Sequence, residues 1–227
     1  MGNNLNLRFV FRKDEAIKRL EDLELDKFLT AFVGDLYSPE QVTELVQRIL
    51  SSTFYGVRGG NVEIQVGKLY WFSIGAYEEK ETYVSVGVQD IFYYHFDEDA
   101  EHVMSDFAKR ARKAFDTLKP WYGYAETDES MDELWESYKV KFKPDAHVCW
   151  LNYYSPKLAE KLGRCKILSA ARNTEQALGD VTIDEFDDGA IMIQVGKMPG
   201  YAGNIPKTRA LEKELFGKPC KYDAKKV

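Results

Sequence analysis

The sequence predicts an α+β fold, with helices packed on a mainly antiparallel sheet in a single domain spanning 1–227. Three observations predict it. Short segments alternate apolar and polar residues with period two, and longer segments repeat apolar residues every three to four positions. The two kinds come in blocks separated by hairpin turns, not in the strict β-α alternation of a doubly wound fold. Finally, 44% of the 227 residues are apolar and 30% are charged, enough for a core and for a solvated exterior.

The elements follow in order. Leu5-Asn6-Leu7-Arg8-Phe9-Val10-Phe11 alternates and reads as a half-buried strand. Asp14 is placed to cap a helix carrying Ile17, Leu20, Leu23, Phe28 and Phe32, which Gly34 breaks. Ser38-Pro39-Glu40-Gln41 is a helix start: Ser38 caps, Pro39 takes the first helical position and Gln41 completes a capping box. The helix that it opens carries Val42, Leu45, Val46, Ile49 and Leu50 on one face. Residues 51–96 read as antiparallel sheet, with turns at Gly67-Lys68 and Glu78-Glu79-Lys80-Glu81. Tyr55-Gly56-Val57-Arg58-Gly59-Gly60 reads as a loop entering that sheet, because no Lys-Ser/Thr and no helix follow to make a phosphate cradle. Asp97 or Asp99 opens a long helix with Val103, Met104, Phe107, Ala111, Ala114, Phe115 and Leu118 inward, stopped before Pro120.

In the second half, 121–125 reads as a strand, 130–138 as a short acidic helix and 147–154 as an apolar strand. Ser155-Pro156 starts a helix that Gly163 ends, and the Asn152 amide is placed to brace the corner between strand and helix. Asp180–Phe186 and Ala190–Val195 form a hairpin across Asp187-Asp188-Gly189. A last helix covers 206–216, and the basic tail 218–227 is expected to fray.

Composition excludes several function classes. No segment approaches the roughly 20 apolar residues of a membrane-spanning helix. The start, Met1-Gly2-Asn3-Asn4-Leu5-Asn6, has neither an apolar signal core nor a Ser/Thr for a myristoylation signal, so a cytoplasmic location is expected. With 31 Lys+Arg against 37 Asp+Glu the net charge is −6, which disfavours nucleic acid as a partner. The three cysteines, Cys149, Cys165 and Cys220, form no CxxC, and Cys149 reads as a buried thiol in an apolar run.

No complete catalytic motif occurs, so no catalytic residue, cofactor or metal is assigned. His95 and His102, with Asp97, Glu98, Asp99 and Glu101 between them, have ligand-type side chains, but four acids at a helix start are more simply explained by the helix dipole and a solvated surface turn. Charge distribution says more. Glu126, Asp128, Glu129, Asp132, Glu133 and Glu136 form one run without a base, and Asp180, Asp184, Glu185, Asp187 and Asp188 form another. Such runs are the material of an acidic patch that steers a basic protein partner, with Trp121, Tyr122, Tyr124, Trp135 and Tyr138 serving either as contact anchors or as core.

Trp150-Leu151-Asn152-Tyr153-Tyr154-Ser155-Pro156, then Leu158-Ala159-Glu160-Lys161-Leu162-Gly163-Arg164, then Ile193-Gln194-Val195-Gly196 with Pro199, make a recognisable layout, which Tyr122-Gly123-Tyr124-Ala125 precedes. Over residues 120–200 it resembles the C-terminal half of immunity-protein-like families of bacterial polymorphic toxin and type VI secretion systems. The resemblance implies an α+β binding protein that neutralises a cognate toxin in the cytoplasm, with no catalytic residues. The expected contacts are then Glu126, Asp128, Glu129, Asp132, Glu133, Glu136, Asp184, Glu185, Asp187 and Asp188. Two other readings stand beside it: a small metal-assisted enzyme or ligand-binding domain built on His95 and His102, and a structural, self-associating module.

Overall fold

Strand β1 (Leu5–Phe11) buries Leu5, Leu7, Phe9 and Phe11, as its alternation requires. In the computed structural model the described residues are 4–12, 20–54, 57–66, 70–78, 82–88, 98–127, 147–200 and 202–217. They fall into two compact units, Met1–Gly123 and Tyr124–Val227. Their mixture of helices and antiparallel strands is the α+β class expected.

In the first unit the expected helix from Asp14 to Phe32 is divided. A single 3-10 turn covers Leu20–Asp22, and helix α1 begins at Leu25 and ends at Val33; residues 13–19 lie outside the described set. The physical reason lies in the spacing. Leu20, Leu23, Leu25 and Phe28 are all buried, and the step of two between Leu23 and Leu25 cannot stay on one helix face. Helix α2 (Pro39–Ser51) starts as predicted: the Gln41 N–H donates to the Ser38 hydroxyl at 3.4 Å, and the Ser38 N–H donates to Gln41 Oε1 at 2.8 Å.

Strands β2 (Thr53–Phe54), β3 (Val57–Val66), β4 (Tyr70–Glu78) and β5 (Thr82–Val88) follow, and the strand order is β2-β3-β4-β5-β1 with every pair antiparallel. The two expected hairpins are there, with Val66 opposite Tyr70 and Glu78 opposite Thr82. Gly59 and Gly60 are not loop residues but part of β3. A Cβ at Gly60 would stand 2.0 Å from the Ile49 carbonyl oxygen, and one at Gly59 would stand 2.6 Å from that of Ala76. Gly60 thus lets α2 lie directly on the strand, and Gly59 lets the neighbouring β4 come close, packing roles invisible to a motif search.

Helix α3 (Glu98–Leu118) packs the predicted Met104, Phe107, Ala111, Ala114 and Phe115 into the core. Ring centroids of Phe72 and Phe107 lie 5.6 Å apart, those of Phe32 and Phe107 5.8 Å and those of Phe9 and Phe115 4.7 Å. One face of the sheet is thereby sealed by α1 and α3, with edge-on aromatic geometry contributing beyond simple burial.

The second unit orders its strands β6 (Tyr122–Thr127), β7 (Leu151–Tyr154), β9 (Ile191–Val195), β8 (Val181–Glu185). Helix α4 (Pro156–Leu162) opens with the Ser155 hydroxyl accepting the Leu158 N–H at 3.3 Å and ends at Gly163, whose φ is +93°. Helix α5 (Arg164–Leu178) follows at once. Its buried face, Ile167, Ala170, Ala171 and Thr174, is too small and mildly apolar to stand out in the sequence. The last helix, α6 (Ile205–Phe216), begins within a residue of the expected position.

The expected strand 147–154 is shorter: only Leu151–Tyr154 is extended, and 147–150 is irregular. Side chains take its amide hydrogens. The Val148 N–H donates to Glu212 (3.1 Å), the Cys149 N–H to Asn152 Oδ1 (2.8 Å) and the Trp150 N–H to Glu126 (3.0 Å). Asn152 also donates from its amide nitrogen to the Cys149 carbonyl at 2.6 Å, so it braces the entrance to β7 rather than the corner after it. Buried backbone must be paired, and here three side chains do what a neighbouring strand otherwise does.

Candidate functional site

The β8–β9 hairpin gathers the second acidic run. Its register sets Val181 opposite Val195 and Glu185 opposite Ile191, and β8 is the last strand in the order. The turn is tightly specified. The Phe186 N–H donates to the Ala190 carbonyl (3.0 Å), the Ala190 N–H donates to Asp188 Oδ1 (2.9 Å), and Gly189 has a φ of +91°. Phe186 is buried and meets the Tyr153 ring edge-on at 5.6 Å. Anchored this way, the tip presents Asp187 and Asp188 to solvent, and Leu178, 44% exposed, lies at the end of α5 just before the hairpin.

Space supplies bases that the sequence run lacks. Arg164 donates to Glu185 at 2.6 Å and also to the Gly189 carbonyl, Arg172 reaches Glu185 at 3.5 Å, and Lys207 reaches Asp180 at 3.0 Å. Glu185 is therefore shared by two guanidinium groups, while Asp184 is half-buried. Of the first run only Glu126 is described, and it is 7% exposed. Its oxygens accept the N–H groups of Thr127 (2.9 Å) and Trp150 (3.0 Å), so Glu126 is a buried structural acceptor and takes no part in a surface patch. Asp128, Glu129, Asp132, Glu133 and Glu136 lie outside the described residues, as do Trp135 and Tyr138. Trp121, Tyr122 and Tyr124 are buried, which settles them as core.

A second polar cluster lies within this unit. His147 Nδ1 is 3.9 Å from Glu212 Oε1, and Tyr154, fully buried, has its phenol pushed well above the ordinary range by burial and then by the nearby Cys149 and Glu212. Cys149 is buried, as expected, and His147, Tyr154 and Glu212 are buried with it, so this cluster is enclosed within the unit. His102 is exposed, and His95 and Asp97 lie outside the described residues. Among the described residues no group of three or more His, Cys, Asp or Glu side chains is arranged to hold a metal ion.

The first unit carries two features that a motif search passes over. On the sheet face opposite the phenylalanine core, Trp71 is 46% exposed, Tyr77 and Tyr83 stack at 4.9 Å, and the Arg8 guanidinium lies 5.6 Å from the Tyr83 ring. Alternation in β4 was the available signal: Phe72, Ile74 and Ala76 are inward, so Trp71 and Tyr77 must be outward. The other is Arg110, which is only 9% exposed. It holds Asp35 through two bonds of 2.6 Å, Asp106 through one of 2.6 Å, and the Phe32 carbonyl at 2.7 Å. The Asp35 hydrogen bond raises the guanidinium still further above its ordinary range and holds the Asp35 carboxyl below its own.

A pH prediction follows from that pair. Because the folded state depresses the Asp35 carboxyl, its stabilising contribution is complete above the ordinary carboxylate pKa of about 3.9 and is lost as pH falls through the lower folded value. Asp35 is 61% exposed at its side chain, so solvent limits the effect to under about 1 kcal/mol. Urea unfolding of Asp35→Asn against the parent should show a gap at pH 7 that closes toward pH 2. A gap that persists unchanged at pH 2 contradicts the assignment.

No helix among the described residues is long and apolar enough to cross a membrane. No family model matches the chain, and no curated protein does. The fold is similar to that of a Pseudomonas aeruginosa T6SS protein, with a TM-score of 0.51 and 13% identity, covering 96% of this chain and 73% of that one. At that identity the likeness is one of fold.

Proposed function

We propose that the chain is an immunity-type protein that neutralises a cognate toxin by binding it, with the acidic β8–β9 hairpin as its contact surface. The observation that carries this reading is the tip itself, where Asp187 and Asp188 are exposed on a turn pinned by Gly189, Phe186 and Arg164. A rigid acidic tip loses little conformational freedom on binding and attracts a basic surface from a distance. The likeness in fold to a T6SS protein and the resemblance of residues 120–200 support the same reading. On this reading the toxin is a basic protein, and neutralisation takes place in the cytoplasm by occlusion, without chemistry.

The test is co-expression with the toxin-like product of a neighbouring gene. The parent should restore growth, and Asp187→Lys/Asp188→Lys should lose protection, with association slowed about tenfold or more and the salt dependence reduced. If the parent protects and the double variant protects equally, the hairpin is not the contact. If the parent fails against every neighbouring candidate, the immunity reading itself falls.

A further inference from the structure

Helix α3 places Lys109, Arg110, Arg112 and Lys113 around a cleft of about 280 Å³ that is also lined by Asp35 and Asp106. Both of those carboxylates are engaged by Arg110. The lining therefore carries two more positive than negative charges, on a chain whose net charge is −6. Lys109 and Lys113 are one helical turn apart and exposed, so both ammonium groups reach solvent on the same side. Leu36, the next residue in the chain after the lining residue Asp35, is 42% exposed. A volume near 280 Å³ is smaller than the pockets that hold drug-sized ligands, but it takes one or two side chains.

From this we infer that the cleft docks an acidic segment of a protein partner, a carboxylate side chain entering between Lys109 and Lys113 while an aliphatic side chain beside it covers Leu36. Charge complementarity selects the carboxylate, and the exposed leucine selects a peptide over a bare anion. A nucleic acid fits worse. Its phosphates leave the exposed Leu36 without an apolar contact, and nothing there reads a base. The surface is cationic and belongs to the first unit, so it stands independently of the acidic hairpin proposed to hold a toxin.

Fluorescence anisotropy with the full chain tests it. The probe is a labelled 12-residue peptide of glutamate and leucine, compared with a lysine–leucine peptide and with a 12-nucleotide oligothymidylate. Lys109→Glu/Lys113→Glu should weaken the acidic peptide about tenfold or more, while Lys157→Glu/Lys161→Glu, the same charge change on exposed lysines of α4, should leave it within about twofold. Leu36→Ser should weaken it severalfold. Equal weakening by both double variants would mean that only net charge matters, and would overturn the site. So would absence of peptide binding, tighter binding of the oligonucleotide, or sedimentation showing that the cleft lysines serve self-association instead. None of these outcomes depends on whether a toxin is neutralised.

Discussion

Trp150→Ala is expected to destabilise the second unit by about 3–5 kcal/mol, seen as a lower urea midpoint with the slope unchanged. The indole is 1% exposed, and its Nε1–H donates to the Gly196 carbonyl at 3.2 Å. Truncation removes a large buried ring and leaves a cavity in a core that cannot fully close over it. Gly196 keeps a donor, because Gln194 Nε2 reaches the same oxygen at 3.0 Å, so lost packing outweighs the lost hydrogen bond. Trp150→Phe should therefore recover most of the loss. A phenylalanine variant as unstable as the alanine one would show that the hydrogen bond dominates.

The second large effect is expected at Glu126. Alanine there removes the acceptor of the Thr127 and Trp150 N–H groups in a setting that is 7% exposed. Each donor left without a partner costs about 1–3 kcal/mol, so a loss of about 3 kcal/mol is expected. Glu126→Gln retains one acceptor oxygen but points an NH2 at the other donor, and should cost about half as much. Asp187→Asn, by contrast, changes an exposed turn carboxylate and should alter stability by no more than about 0.5 kcal/mol. Thermal or urea unfolding of the three variants separates the two kinds of acid. If Glu126→Ala unfolds like the parent, its carboxylate does not hold the 147–150 segment.

These contrasts show how much of the protein is legible along the chain. Asn6 to Val10 alternate between buried residues because a strand has a period of two, and neighbours in sequence are then enough. Ser38 and Gln41 form their box because three residues span one turn. Helix α5 escapes notice because its inward face is built from alanine and threonine, whose apolar contrast is weak. The aromatic face of β4 is legible in its alternation, yet nothing in the sequence tells which of its two faces the helices cover. The candidate site divides the same way: the turn at Gly189 is written locally, while the exposure of Asp187 depends on Phe186 packing against Tyr153.

The sequence by itself determined the α+β class, the Ser38 and Ser155 helix caps, the hairpins and a net charge of −6, because all of these follow from residue count, period and near neighbours. Only the tertiary structure decided what the acids do. Asp180 meets Lys207, Glu185 meets Arg164 and Arg172, and Glu126 turns inward to hold the backbone of Trp150. Coulomb and hydrogen-bond energies depend on distance through space, so a base-free run of sequence is not a base-free surface. On that hairpin tip Asp187 and Asp188 stay exposed, and Asp188 also accepts the Ala190 N–H.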